Sequence, residues 1–119
     1  MILDSNTNFL YVADTLPTKY PAFYEQFEKV LKNCSIYFQI LPKTNDVWAV
    51  DYMPIQIERD YFIQFIYNPD YLRNTLKWSK SISNVDAICK AINLFPTKSN
   101  IVLDGGNVIR TTDKVIMCD

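Results

Sequence analysis

Histidine is absent from this 119-residue chain. No imidazole is at hand to serve as acid or base near neutral pH, so chemistry that needs one must draw it from elsewhere. Cysteine is scarce: Cys34, Cys89 and Cys118 are the three, and none forms a Cys-x-x-Cys pair. An odd count without a signal peptide fits a reducing compartment. The same scarcity removes the usual zinc donor sets, and no acidic cluster has ligand spacing for a hard cation, so neither metal nor cofactor is expected. An excess of one charge is also lacking, with 12 Lys and Arg against 13 Asp and Glu. That near balance leaves no electrostatic footprint for nucleic acid. The first residues have no basic stretch followed by an apolar run, and no segment reaches the length of a bilayer span. The expectation is a soluble, cytoplasmic chain that engages neither membrane nor nucleic acid.

What is present is core-forming material. Hydrophobic residues make up 49% and aromatics 14%, with eight tyrosines. Such a composition excludes a disordered tail and suits one small domain, or a piece of a larger one. Aromatic side chains bring large buried area with polar tips, and most are expected in the core.

Residues 9–14 form a short apolar run that predicts a buried strand. Residues 15–19, with Pro17, read as a connection. Residues 20–32 turn helical, with Pro21 in the first turn and Phe23, Phe27, Val30 and Leu31 on one face. Asn33 is a helix stop. Residues 35–41, SIYFQIL, are rich in strand formers. Residues 42–46 break the pattern, and DVWAVDYMP has no clean period. Residues 55–58 and 61–67 predict a hairpin around Arg59 and Asp60. Asn68, Pro69 and Asp70 form a turn, followed by a polar segment over 72–83. Ser83 or Asn84 caps a second helix with Val85, Ile88, Cys89 and Ile92 on one face. Pro96 lies beyond its end. Residues 100–103 predict a strand, DGGN a tight feature, and 108–110 with 114–117 a second hairpin.

The string strand, helix, strand, acidic motif, hairpin is followed by helix, strand, acidic motif, hairpin. This is an architectural repeat of about fifty residues, in the range where repeated units are suspected. Asp51 and Asp104 occupy matching points, each just before a hairpin.

Three segments carry a family resemblance. DVWAVDYMPIQ (46–56) is similar to a Trp-x-Arg-Asp-x-x-Pro motif. FIQFIYNPDYLR (62–73) resembles a stretch common in bacterial members. LDGGNVI (103–109) matches a Glu/Asp-Gly-Gly-Asn motif. In order and spacing they resemble the agmatine deiminase and Porphyromonas-type peptidylarginine deiminase group of guanidine-modifying hydrolases. The resemblance implies an α/β pentein fold, a propeller of five βαβ-type modules with the active site on its axis. The chain would hold about two of these modules, over roughly 9–67 and 68–118 of a single N-terminal portion spanning 1–119. Open sheet edges then predict self-association, or union with the missing C-terminal portion.

A guanidinium is planar and permanently charged, with five N–H donors in a fixed fork. Carboxylates placed for bidentate hydrogen bonds are what hold it. The resemblance gives that role to Asp51, whose bland alternative is capping a turn before Pro54. Asp104 matches the acidic residue before Gly-Gly-Asn, which would contact the substrate or orient a histidine. Its alternative is a simple Asx turn. Gly105 and Gly106 serve backbone geometry, either positive φ or close approach, and Asn107 is a turn residue. Trp48 is expected in the core, with a pocket wall as the alternative. Val50 departs from the family arginine. The implied reaction uses a Cys thiolate that attacks the guanidinium carbon, releases ammonia and is freed by water with a histidine as acid and base. The nucleophile and the family's His-x-Asp motif are expected downstream, so no catalytic residue is assigned here. Cys34 and Cys89 read as small buried hydrophobes, and Cys118 is not in the matching position. The implied product is a ureido compound, and agmatine as substrate would place the activity in putrescine synthesis. Two other readings stay open: a degenerate guanidine-binding or interaction module, and one half of a split deiminase.

Overall fold

A computed structural model of the chain describes residues 2–3, 6–73, 79–111 and 113–117. It is a mixed α/β arrangement with three small sheets. Strand β1 (Leu10–Ala13) leads into helix α1 (Thr15–Lys19) and helix α2 (Pro21–Asn33). Strand β2 (Phe38–Leu41) returns parallel to β1, with Leu10 opposite Phe38 and Ala13 opposite Leu41. A helical turn α3 (Ala49–Tyr52) precedes strands β3 (Ile55–Glu58) and β4 (Tyr61–Ile66), an antiparallel hairpin. Helix α4 (Asp70–Arg73), helix α5 (Val85–Ala91) and strand β5 (Thr97–Val102) follow. A 3-10 turn (Gly105–Asn107) then opens the hairpin of β6 (Val108–Arg110) and β7 (Val115–Met117).

Residues 15–19 are a short helix rather than a connection. Pro17 is its third residue, in the first turn, where a missing N–H breaks no intrahelical bond. Tyr20 N–H closes the turn onto Leu16 C=O at 2.9 Å. Helix α2 ends at Asn33 as its sequence predicts, and Ser35 turns out of it with φ 54°. The strand expected from residue 35 therefore starts only at Phe38. The aperiodic DVWAVDYMP contains the turn α3, which buries Tyr52 and sends its hydroxyl to Asp46 C=O at 2.9 Å. The polar stretch after Asn68 and Pro69 opens as α4, and residues 74–78 of that stretch lie outside the described ones.

Asn84 caps α5 as its side-chain oxygen accepts from Ala87 N–H at 3.1 Å. Val85, Ile88 and Cys89 face inward as their spacing requires, and Ile88 is fully buried. The helix ends where Leu94 N–H reaches Cys89 C=O and Asn93 adopts φ 57°. These residues join Leu41 and Tyr52 as the core, with Ala49, Met53, Tyr67, Ile92 and Leu94 packed against it.

Strand β5 starts three residues earlier than expected and runs parallel to β4, so the second sheet has the order β3-β4-β5. The boundary expected near 67/68 falls inside this sheet. The free edge of β4 needs a hydrogen-bonding partner, and the α5 crossover returns β5 to fill it. Two βαβ units result, β1-α2-β2 and β4-α5-β5. Large apolar side chains remain uncovered on α2 (Phe23 57%, Val30 56%), on β5 (Ile101, Val102) and on the last hairpin (Ile109, Ile116, Met117). Of the proposed α2 face only Leu31 is buried. Among the described residues, no helix is long and apolar enough to cross a membrane.

Candidate functional site

The site is built from the loop after β2. Asp14, at the carboxyl end of β1, gathers that loop with both oxygens. Lys43 N–H donates to it at 2.7 Å and Thr44 N–H at 3.1 Å. The buried Thr44 hydroxyl also donates to Asp14. A second clasp comes from the segment before α5. Asn45 N–H donates to the Ser83 hydroxyl, and the Asn45 amide donates to Ile82 C=O, both at 2.9 Å. Asp46 then accepts Val47 N–H at 2.6 Å, and α3 begins. Asp51 thus stands on a single helical turn whose approach loop is fastened to the end of β1 and to the segment before α5.

The Gly-Gly-Asn turn packs directly on α3. The chain has only two glycines, and both are here. A Cβ on Gly105 would collide with the Val50 carbonyl oxygen. On Gly106 it would collide with the Asp51 carboxylate and stand 3.3 Å from that of Asp104. Neither glycine has positive φ, so close approach is what requires them. Asp104 accepts Gly106 N–H at 3.0 Å, and its own carbonyl accepts Asn107 N–H at 3.0 Å. The Asx turn is therefore real, and it also aims Asp104 at Asp51. Of the two readings of Asp104, the turn is the one the hydrogen bonds show. Asn107 is an exposed turn residue.

Asp51 and Asp104, distant in sequence, form a carboxylate pair. Among the described residues no lysine or arginine forms an ion pair with either. Burial pushes the Asp51 carboxyl up to about 6, with further upward pressure from the Asp104 charge, a hydrogen bond shared with Asp104, and the Asp46 charge. Removal from water disfavours the charged form, and two adjacent carboxyls resist ionising together. Tyr67 lies within electrostatic reach of both. Burial raises its phenol first, followed by its hydrogen bond to Tyr71 and the charges of Tyr71, Asp51 and Asp104.

Trp48 is 65% exposed, so the core expectation fails for it. Tyr52, the last residue of α3, is buried instead. Val50 is also exposed, and its side chain adds nothing to the carboxylate pair. A cavity of about 680 Å³ lies beside the pair, with Val50, Gly105, Met53, Arg59 and Phe62 in its lining; neither carboxylate lines it. Cys34 is exposed, because α2 has ended and strand pairing has not begun. Cys89 is buried, and burial pushes its thiol up to about 11, which leaves it un-ionised and inert. Cys118 lies outside the described residues. Among the described residues no group of three or more metal-ligating side chains converges.

The sequence reading missed Asp14, Asp46 and Tyr67. Asp14 could have been flagged as a lone carboxylate ending an apolar strand, since ligand and loop contacts gather at the carboxyl ends of parallel strands. Compared with family models, curated proteins and solved structures, the chain matches none.

Proposed function

We propose that this chain supplies the guanidinium-holding carboxylates of a deiminase. That enzyme would hydrolyse the guanidine of agmatine, or of a related arginine-type substrate, to a ureido product and ammonia. The observation that carries the reading is the meeting of Asp51 and Asp104, with no ion pair to a cationic side chain among the described residues. A pair of carboxylates held together against repulsion and burial is complementary to a permanently charged fork of N–H donors. The two βαβ units are compatible with adjacent modules of a pentein propeller. Uncovered apolar side chains on α2, β5 and the last hairpin are compatible with further modules packing there. In this reading the nucleophilic cysteine and the histidine come from polypeptide outside these 119 residues, and the chain alone binds without turning over.

Agmatine binding tests the reading. Calorimetry with the 119-residue chain at about pH 7.5, well above the range in which Asp51 titrates, is expected to show one site that Asp51→Asn abolishes. Equal affinity of the variant removes Asp51 from the site. A degenerate binding module is the second reading, favoured by Val50 where the family carries arginine. The two part on complementation: ammonia release on adding polypeptide that brings the Cys and His favours the enzyme, and a demonstrated complex without release favours the module.

A further inference from the structure

We propose that the Tyr67 ring is a wall of the guanidinium site, stacking on the face of the cation while Asp51 and Asp104 hold its edge. The inference rests on the guanidine reading above. Strands β4 and β5 run parallel and finish level, with Ile66 opposite Val102. Just beyond that pair, Leu103 N–H donates to Ile66 C=O at 3.1 Å. Tyr67 follows Ile66 and Asp104 follows Leu103, so both leave the sheet at the same end. This is the carboxyl edge of a parallel pair, where α/β sheets place their ligands. Asp51 reaches the same edge through the packing of the Gly-Gly-Asn turn on α3.

The ring is fixed from behind. It packs on Tyr52 with centroids 6.0 Å apart and planes tilted by 58°. Tyr52 is itself almost fully buried and anchored to Asp46 C=O. The Tyr67 and Tyr71 hydroxyls lie 3.4 Å apart, which restrains the far end of the ring. Tyr67 is therefore a restrained aromatic ring at the sheet edge from which Asp104 also departs.

That combination discriminates between cations. A guanidinium is flat and weakly hydrated on its faces, with its donors at the rim. Carboxylates take the rim and an aromatic ring takes a face. A compact ammonium is strongly hydrated and has no face to stack. The ring thus selects a planar delocalised cation over an amine of equal charge.

The test is a titration of the isotope-labelled 119-residue chain with methylguanidinium chloride, and separately with methylammonium chloride, followed by NMR. We expect methylguanidinium to shift the Asp51 and Asp104 signals at lower concentration than methylammonium. Its methyl protons should show cross-relaxation to the Tyr67 ring protons. Tyr67→Phe keeps the ring and should keep the affinity, whereas Tyr67→Leu should weaken binding about three- to thirtyfold. The cross-relaxation measurement uses the unaltered chain, so it stands even where Tyr67→Leu fails to fold. Shifts at Asp51 and Asp104 without contact to the Tyr67 ring overturn this inference and leave the guanidine reading intact. No shift at either carboxylate at saturating methylguanidinium overturns both.

Discussion

Replacing Asp51 by Asn should stabilise the protein at neutral pH, although it removes the residue placed at the centre of the site. Asp51 has its carboxyl raised from 3.8 to about 6 by burial and by Asp104. A raised folded pKa means that the native state holds a proton which the unfolded chain has released. The stabilisation that Asp51 brings is therefore complete below 3.8 and lost as pH climbs through about 6. A tenfold change in proton affinity corresponds to about 1.4 kcal/mol, so the rise at Asp51 sets a ceiling of about 3 kcal/mol. Asp51 is only partly buried, so solvent screening reduces the figure to about 1 kcal/mol. Asparagine keeps the shape and removes the titration.

The assay is urea unfolding of both chains from about pH 4 to about pH 8, with the difference between them read at each pH. Asp51→Asn should exceed the unaltered chain by about 1 kcal/mol at about pH 7.5, and this advantage should shrink steadily between about pH 6 and about pH 4. Taking the difference cancels the titration of carboxylates that are not coupled to Asp51. A constant offset across this range, or a variant that loses ground to the unaltered chain as pH rises, would refute the reasoning. The Asp51 carboxyl would then not be held above its ordinary range by burial and its neighbours.

Three further outcomes follow from the same geometry. Agmatine binding should weaken by about tenfold per pH unit below about 6, because the cation requires ionised Asp51; calorimetry at stepped pH reads this, and a flat profile removes Asp51 from the contact. Gly105→Ala should destabilise by about 1–3 kcal/mol in urea unfolding, since its methyl meets the rigid Val50 carbonyl, while Gly106→Ala meets movable carboxylates and should mainly reduce guanidine binding. Asp14→Ala strips acceptors from Lys43 N–H, Thr44 N–H and the buried Thr44 hydroxyl, for a loss of about 2–4 kcal/mol; a change below about 0.5 kcal/mol would mean that the loop before α3 stands without its clasp.

Local signals were legible where the local chain decides. Asn84 caps α5 and Ile88 is buried because cap chemistry and helical spacing act within a few residues. The hairpin of β3 and β4 follows for the same reason, since its turn and alternation lie next to each other. Partnering across the chain was not legible. Strand β5 starts at Thr97 because β4 offers an edge there, and Thr97 alone among the three residues before Asn100 is a strand former. Trp48 and Tyr52 bracket one helical turn, and both are aromatic; Tyr52 is the one that joins the α5 residues in the core. Asp14 looked like the end of a strand, yet its role depends on a loop that returns only after α2 and β2. The pairing of Asp51 with Asp104 came from motif position, and only the glycine packing explains how the two meet.

That pairing has an energetic direction. Gly105 and Gly106 remove the side chains that would hold the turn away from α3, and the approach they permit brings like charges together. A fold selected for stability alone gains nothing there, since one asparagine would relieve the repulsion. The loop that carries Asp51 is nevertheless fastened by Asp14, Ser83 and Ile82, whose bonds hold α3 against the turn. Binding a cation reverses the sign of the interaction: the repulsion and desolvation that disfavour the empty pair become complementarity to the ligand. A guanidinium meets both carboxylates at once and carries a charge that cannot be lost by deprotonation. An amine ligand also carries charge, but it lacks the rim of parallel donors that two neighbouring carboxylates can share. The strain at Asp51 is thus the physical reason to look for a planar cation at this edge of the sheet.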